Sequence, residues 1–375
     1  MVLLNHFHRF SILVILKSTP AFAGVLSFFD PNNFNNQETN FHLHLQSFFT
    51  NDAFSIQTRL NKMVGESNAK NGENLEIIDI RFDSGYSYQP FGYIGYIYRN
   101  QTAISASKDM AELYHSTKNK IDLEVERKYN LKLQTDSFKL EGFIYANSFS
   151  IYHTDSLDIR FGGAIELLFA KKMQDWQMSG TAEAISAKDY NLNIISDSHY
   201  TKNYLYKLQV PQSNATGYSS HLSLNMHYKK IKVSLLINDI WSKLKWEKLP
   251  YSYVKMKTEN KTYDANGYVK YQPSISGIEK NVDYTQTLIR KWKMNVQYFF
   301  DTSSILIGSE YIYSNYIPYI MYKYKFTPNF STSIEYEFKF KSYYSEIRYK
   351  NYYLGIRANH LNEQNTLALN LGINF

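Results

Sequence analysis

From Asn74 to the C-terminus, apolar and polar side chains change places at nearly every step, in one stretch after another. Successive side chains of an extended strand point to opposite faces, so this pattern encodes strands that are apolar on one side and polar on the other. In 330–341, Phe330, Thr332, Ile334, Tyr336, Phe338 and Phe340 share a face, against Ser331, Ser333, Glu335, Glu337, Lys339 and Lys341. In 121–133, Ile121, Leu123, Val125, Tyr129, Leu131 and Leu133 oppose Asp122, Glu124, Glu126, Lys128, Asn130 and Lys132, with Arg127 out of pattern. In 157–169, Leu157, Ile159, Phe161, Ile165, Leu167 and Phe169 oppose Asp158, Arg160 and Glu166. The stretches 222–228 and 292–300 repeat the rhythm. Strands of soluble sheets average about 5–6 residues. Many runs here reach the roughly 9–11 residues of a tilted strand that crosses a bilayer.

Composition agrees with strands and not with helices. Only 44% of the 375 residues are hydrophobic, and past the N-terminus no run nears the ~18 apolar residues of a spanning helix. A strand that meets lipid on one face needs only every second residue to be apolar. The 34 Tyr and 24 Phe suit strands and the two edges of a membrane. The expected fold is therefore all-β: a single antiparallel transmembrane β-barrel over 74–375. About 18 candidate strands follow residue 74, and some of them are halves of one strand. Barrels of this kind have even strand numbers, so the estimate is about 16, with 14 to 18 possible. A lumen that wide exceeds what wall side chains alone fill.

The two ends carry address signals. Arg9 precedes the apolar run 10–16, Pro20 breaks it, and Ala21-Phe22-Ala23 forms an A-x-A cleavage pattern, so 1–23 reads as a secretory signal peptide. At the other end Leu367, Leu369, Leu371, Ile373 and Phe375 alternate with Ala368, Asn370, Gly372 and Asn374. This resembles the β-signal of Gram-negative outer-membrane barrels, whose terminal aromatic is read by the barrel-assembly machinery. The resemblance covers about ten residues, with Leu371, Ile373 and Phe375 as the assembly signal, and it points to no particular barrel family. It implies an outer-membrane location, a periplasmic C-terminus, and turns near 351 and 328 on that same side. Residues 24–73 are less regular and form either a first hairpin or a plug in the lumen. A short polar helix is expected near 107–118, and loops at 200–216 and 258–280.

The chemistry in the sequence is sparse. There is no cysteine, hence no disulfide or thiolate metal site. The net charge is +7, of which Arg9 and Lys17 lie in the leader, and the charges interleave without a basic block. That excludes a nucleic-acid binder and allows contact with lipopolysaccharide or anionic solutes. No G-x-S-x-G, H-E-x-x-H or phosphate-binding loop occurs. His42 and His44 share a strand face, but two ligands do not make a metal site. No enzyme and no cofactor are expected. The polar faces carry Asp79, Arg81 and Asp83; Asp158, Arg160 and Glu166; Lys323 and Lys325; and Glu335, Glu337, Lys339 and Arg348, all candidates to line the lumen. Around 238–246 the alternation slips, which suggests a β-bulge. The function expected from sequence is a porin-like channel for small hydrophilic solutes. The alternative is a plugged structural or surface-assembly barrel, and a barrel hydrolase acting on lipid ranks third. The expected partners are outer-membrane lipid, the assembly machinery and, as an option, further copies of the chain.

Overall fold

In a computed structural model the described residues are 25–34, 40–88, 91–202, 212–258, 261–263, 269–271, 274–359 and 364–374. Residues 1–23, expected to be a signal peptide, and Phe375 of the expected assembly signal lie outside them. The wall strands, numbered by position, are β1 (Asn40–Asn51), β2 (Glu73–Tyr88), β3 (Gly92–Ser107), β4 (Lys128–His153) and β5 (Leu157–Ser186). Three interrupted strands follow: β6 (Asp189–Tyr200 and Ala215–Tyr228), β7 (Ile231–Asn238 and Ser242–Lys257) and β8 (Ser274–Gln286 and Lys291–Phe299). The circuit ends with β9 (Ser303–Ile312), β10 (Asn315–Thr327), β11 (Phe330–Glu337), β12 (Ser342–Tyr349), β13 (Tyr352–Ala358) and β14 (Thr366–Asn374).

Seventeen hydrogen-bonded segments make up the main sheet. The two parts of β6 both pair along β5, and the parts of β7 and β8 pair with each other in one continuous order. Counting each interrupted strand once leaves fourteen wall positions, within the 14 to 18 expected. Every neighbour is antiparallel, and β14 returns to β1, with Leu45 opposite Leu371 and His42 opposite Asn374. The sheet is a closed barrel with no free edge, which is what a sheet in hydrocarbon requires.

Among the described residues one end of the barrel has only short turns: 154–156, 229–230, 300–302, 328–329 and 350–351. The C-terminal strand ends beside them, where the Asn374 N–H donates to the Asn351 carbonyl. Short turns on the side of the terminus match the periplasmic face of such barrels. The outer surface carries large exposed apolar residues all round, among them Ile94, Phe143, Ile165, Ile307, Ile334, Ile347 and Ile356. A band of that extent belongs in lipid.

The far end is built up on one side. β4 and β5 run 26 and 30 residues, whereas β9 to β14 run between 7 and 13. At about 3.3 Å per residue β5 is roughly 100 Å long, far more than a bilayer needs even at a steep tilt. Its upper half and those of β4, β6, β7 and β8 stand clear of the lipid band as a flap. The connection after β3 forms the expected helix, α2 (Lys108–Asn119), capped by Ser107 Oγ accepting from the Met110 N–H at 3.2 Å. Its Leu113 packs with Tyr129, Leu131, Ala182 and Ala184 of the flap.

Some local expectations change. Residues 121–127 alternate but form no strand; β4 begins at Lys128, because Leu123 is drawn into the contact under α2. The stretch 258–280, read as loop, contains the start of β8 and a short hairpin, Lys261–Tyr263 with Val269–Tyr271. Of 24–73, residues 25–34 lie in the lumen, 40–51 form β1, and 56–60 form a single helical turn, α1.

Candidate functional site

Alternation fixes which side chains enter the lumen, and contacts across the barrel confirm the inner face. Glu166 of β5 is wholly buried and accepts from Arg81 Nη2 of β2 at 2.9 Å and from Arg99 Nη1 of β3 at 2.9 Å. Arg99 also grips Asp239 with both terminal nitrogens, at 2.7 and 2.6 Å. Asp239 sits in the break between the halves of β7, at φ 58, so the slip in alternation near 238 serves to turn a carboxylate into the lumen. His221 Nε2 lies 2.7 Å from Glu166, and its Nδ1 faces the Asp239 N–H at 3.3 Å. A ring that accepts at Nδ1 carries its proton on Nε2, the nitrogen that faces the Glu166 carboxylate.

Glu166, His221 and Asp239 bring three possible metal-ligand atoms within 4.8 Å of one another. Two guanidiniums already supply the positive charge between these carboxylates, and a cation would have to displace them. The cluster is a charge-balanced strut across the lumen, not an evident metal centre.

Neighbouring inward residues of the wall hold the N-terminal segment. Ser27 N–H and Oγ donate to Asp79 at 2.9 and 2.7 Å, and Lys291 Nζ bridges Asp79 at 2.9 Å and the Ser27 carbonyl at 2.7 Å. Leu26 N–H donates to Glu310 at 2.8 Å, and Asn238 exchanges two hydrogen bonds with the Phe29 backbone. Residues 25–34 thus descend through the barrel with their backbone groups paired to the wall, as burial demands. Phe29 lies under the Arg81 guanidinium, and Phe34 stacks on Tyr93 at 4.2 Å.

Around that segment the inner wall divides. From β3 to β8 it is apolar: Ile97, Phe138, Leu140, Ile144, Leu168 and Trp246 join Phe29 and Phe34 in one cluster. From β9 to β14 it is polar. There Glu335 pairs with Arg357, Arg357 Nη1 donates to Ser342 Oγ at 3.0 Å, and Tyr344 OH donates to Glu346 at 2.9 Å. On this side tyrosine rings lie over glycines of the adjoining strands. A Cβ on Gly372 would come within 1.9 Å of Tyr353, and one on Gly355 within 2.0 Å of the Tyr344 hydroxyl oxygen.

The residues singled out from sequence fall into three groups. Asp79, Arg81, Asp83 and Glu166 all enter this part of the lumen: Arg81 joins Glu166 in the strut and donates to Asp83 at 3.3 Å, Asp83 lies 3.3 Å from His44 Nδ1, and Asp79 holds Ser27 and Lys291. Glu335, Glu337 and Arg348 line the polar half, Arg348 pairing with Glu346 at 3.2 Å, while Lys339 lies in the turn after β11. Asp158 and Arg160 pair with each other at 2.7 Å beside the short-turn end. Lys323 is half-buried, and Lys325 is exposed near that same end. His42 bonds to Asn374 and Ser87 and stands edge-on to Phe34, so His42 and His44 serve wall and plug, and among the described residues they join no group of three ligand atoms. Arg99, His221, Asp239 and Lys291 were not singled out as lumen residues. Arg99 meets Asp239 across 140 residues and Lys291 meets Asp79 across 212, so no spacing along the chain could reveal them.

A closed antiparallel barrel with an apolar girdle, short turns at the C-terminal end and a plugged lumen defines the class: a Gram-negative outer-membrane β-barrel. No family model and no curated protein matches the chain. Among solved structures it is similar to a mutant of TodX described as a monoaromatic hydrocarbon channel (TM-score 0.43, 11% identity, covering 95% of this chain and 96% of that one). It is also similar to the TodX toluene transporter of Pseudomonas putida (TM-score 0.39, 11% identity, 93% and 91%) and to CymD, another monoaromatic hydrocarbon channel (TM-score 0.25, 9% identity, 94% and 94%). What the lumen of this chain can do follows from its own residues.

Proposed function

We propose that the barrel is a gated channel that admits apolar molecules, not small hydrophilic solutes. The observation that carries this is the apolar inner wall on the β3–β8 side, where Trp246, Leu168, Phe138 and Ile144 pack against Phe29 and Phe34 of the N-terminal segment; withdrawal of that segment would open an apolar chamber. A sugar or an ion entering there would lose its water without gaining partners, whereas a hydrocarbon body gains about 25 cal/mol per Å² of buried apolar surface. The sequence expectation of a polar lumen fits only the β9–β14 side. The chamber and the polar half are read as passage and scaffold, with no catalytic step.

Proteoliposomes test this. Vesicles holding the chain should take up an apolar fluorescent dye faster than empty vesicles and should swell little in an arabinose gradient. Fast swelling in arabinose without dye uptake would show an open hydrophilic pore and overturn the reading.

A further inference from the structure

We propose that the mouth above the apolar chamber binds a protonated amine, so that the channel favours apolar or aromatic molecules carrying an ammonium group. This deepens the apolar reading and rests on it for the body of the ligand.

Three carboxylates face inward on adjacent strands of the flap. Asp136 of β4 stands directly opposite Asp175 of β5, and Asp175 opposite His199 of β6, with Asp197 two residues before His199 on the same face. Like charges placed opposite one another on a sheet repel. Among the described residues none of the three is paired with a lysine or arginine. Asp175 accepts from Tyr284 OH at 2.5 Å and Asp197 from Tyr251 OH at 3.2 Å, both neutral donors. Deeper in the lumen the carboxylates of Asp79, Asp83, Glu166, Asp239, Glu310 and Glu335 each meet a lysine or arginine. The mouth departs from that rule.

A second, independent feature points the same way. Gln101, on the same inner face and opposite Phe138, is 1% exposed, and neither its amide oxygen nor its amide nitrogen has a hydrogen-bond partner. Its diagonal neighbour on β4 is Asp136, whose Oδ1 also lacks a partner. Gln286 Nε2 and the Tyr313 hydroxyl, both neutral donors, face Asp136 without closing a full hydrogen bond to it. Buried polar groups in native proteins are seldom left without partners. Here a set of them surrounds one place.

The surroundings suit an organic cation. His199 stacks on Tyr284 at 4.0 Å and lies 4.7 Å from Tyr251, giving aromatic faces beside the acids. Phe138 and Trp246 of the chamber lie immediately below, and a cavity of about 610 Å³ lined by Gln134, Gln177, Asp197 and Tyr253 opens above. An ammonium group held by Asp136 and Asp175, with the Gln101 carbonyl as a third acceptor, leaves its apolar body pointing into the chamber.

The test uses the purified full-length chain in detergent and three ligands of one shape: 4-phenylbutylamine, butylbenzene and 4-phenylbutyrate. Binding is followed by tryptophan fluorescence, since Trp246 lines the chamber. The amine should bind at least about tenfold tighter than butylbenzene, and phenylbutyrate more weakly than either, as charge complementarity predicts. The amine's advantage should shrink as salt rises and fall toward onefold in the Asp136→Asn/Asp175→Asn double variant. Asp197→Asn alone should reduce it in part. If a variant loses heat-modifiable migration on gels, the salt titration of the native chain decides. Butylbenzene binding as tightly as the amine would overturn the amine site and leave the apolar channel standing. Failure of all three ligands to bind would overturn both.

Discussion

The two halves of the lumen are written in the same period-two pattern and end with opposite character. On β9 to β14 most of the inward residues are polar, and their charges find partners close by: Glu335 with Arg357, Glu346 with Arg348, Glu310 with Lys293 at 2.7 Å. On β3 to β8 much of the inward set beside the N-terminal segment is apolar as well as the outward one, and order there comes from packing against Phe29 and Phe34. The strut of Arg81, Glu166, Arg99 and Asp239 crosses the lumen among these apolar residues. The difference teaches where each kind of interaction is usable. Deep in the lumen charge is kept where a partner lies within hydrogen-bond reach, and the wall beside the N-terminal segment is otherwise apolar; at the mouth, among the described residues, carboxylates stand without a cation.

The largest effect should come from removing one member of the strut. Arg99→Ala leaves Asp239 and one oxygen of Glu166 buried without their cation, which costs roughly 3–5 kcal/mol. Urea unfolding in detergent, read by loss of heat-modifiable migration, should show that drop. A change under ~1 kcal/mol would mean that the strut is hydrated and contributes little. Next is the apolar half. Leu168→Ala should destabilise by about 2–4 kcal/mol through the cavity it opens, in the same assay. Leu168→Glu should in addition suppress uptake of an apolar dye in vesicles. Unimpaired uptake by a folded Leu168→Glu variant would mean that the guest takes another path.

The contrast between the halves also marks what the sequence could disclose. Alternation is local, so the strands of the last quarter lie within a few residues of where the pattern puts them, and Ser107 marks the start of α2. Interrupted strands are a different matter. β6 resumes at Ala215 after leaving the wall at Tyr200, and only its pairing along β5 shows that the two parts share one place. The polar residues of the lumen were visible as types, and Asp79, Arg81, Asp83 and Glu166 do enter one part of it, but their partners stand across the barrel. The apolar chamber left a trace that alternation obscured. In 164–170, Ala-Ile-Glu-Leu-Leu-Phe-Ala, Leu168 and Ala170 are apolar on the face opposite Ile165, Leu167 and Phe169. A strand that is apolar on both faces is buried on both, here against lipid outside and the N-terminal segment within.

A smaller effect should follow from crowding the tyrosines of the polar half. Gly355→Val sets a branched side chain against Tyr344, which must swing away and release Glu346. Overpacking of this kind costs about 1–3 kcal/mol. Gly355→Val combined with Tyr344→Ala should recover part of it, since the clash is with that ring. No recovery would place the strain in the backbone of β13.

The smallest effect sharpens the comparison most, because it sets a similar ion pair on the other surface of the wall. Lys171 and Glu141 pair at 2.5 Å on the outer face, above the lipid band, with Lys171 63% exposed. In water that attraction is offset by solvation and by the freedom both side chains give up, so Lys171→Ala should change stability by no more than about 1 kcal/mol. Arg99→Ala and Lys171→Ala each remove one cation from an ion pair, one inside the barrel and one outside. If burial is what makes the strut matter, their costs in the urea assay differ several-fold, and only the outer one falls further as salt is added. Equal costs would mean that the lumen around Glu166 is as wet as the outside of the barrel, and the apolar passage would lose its physical basis.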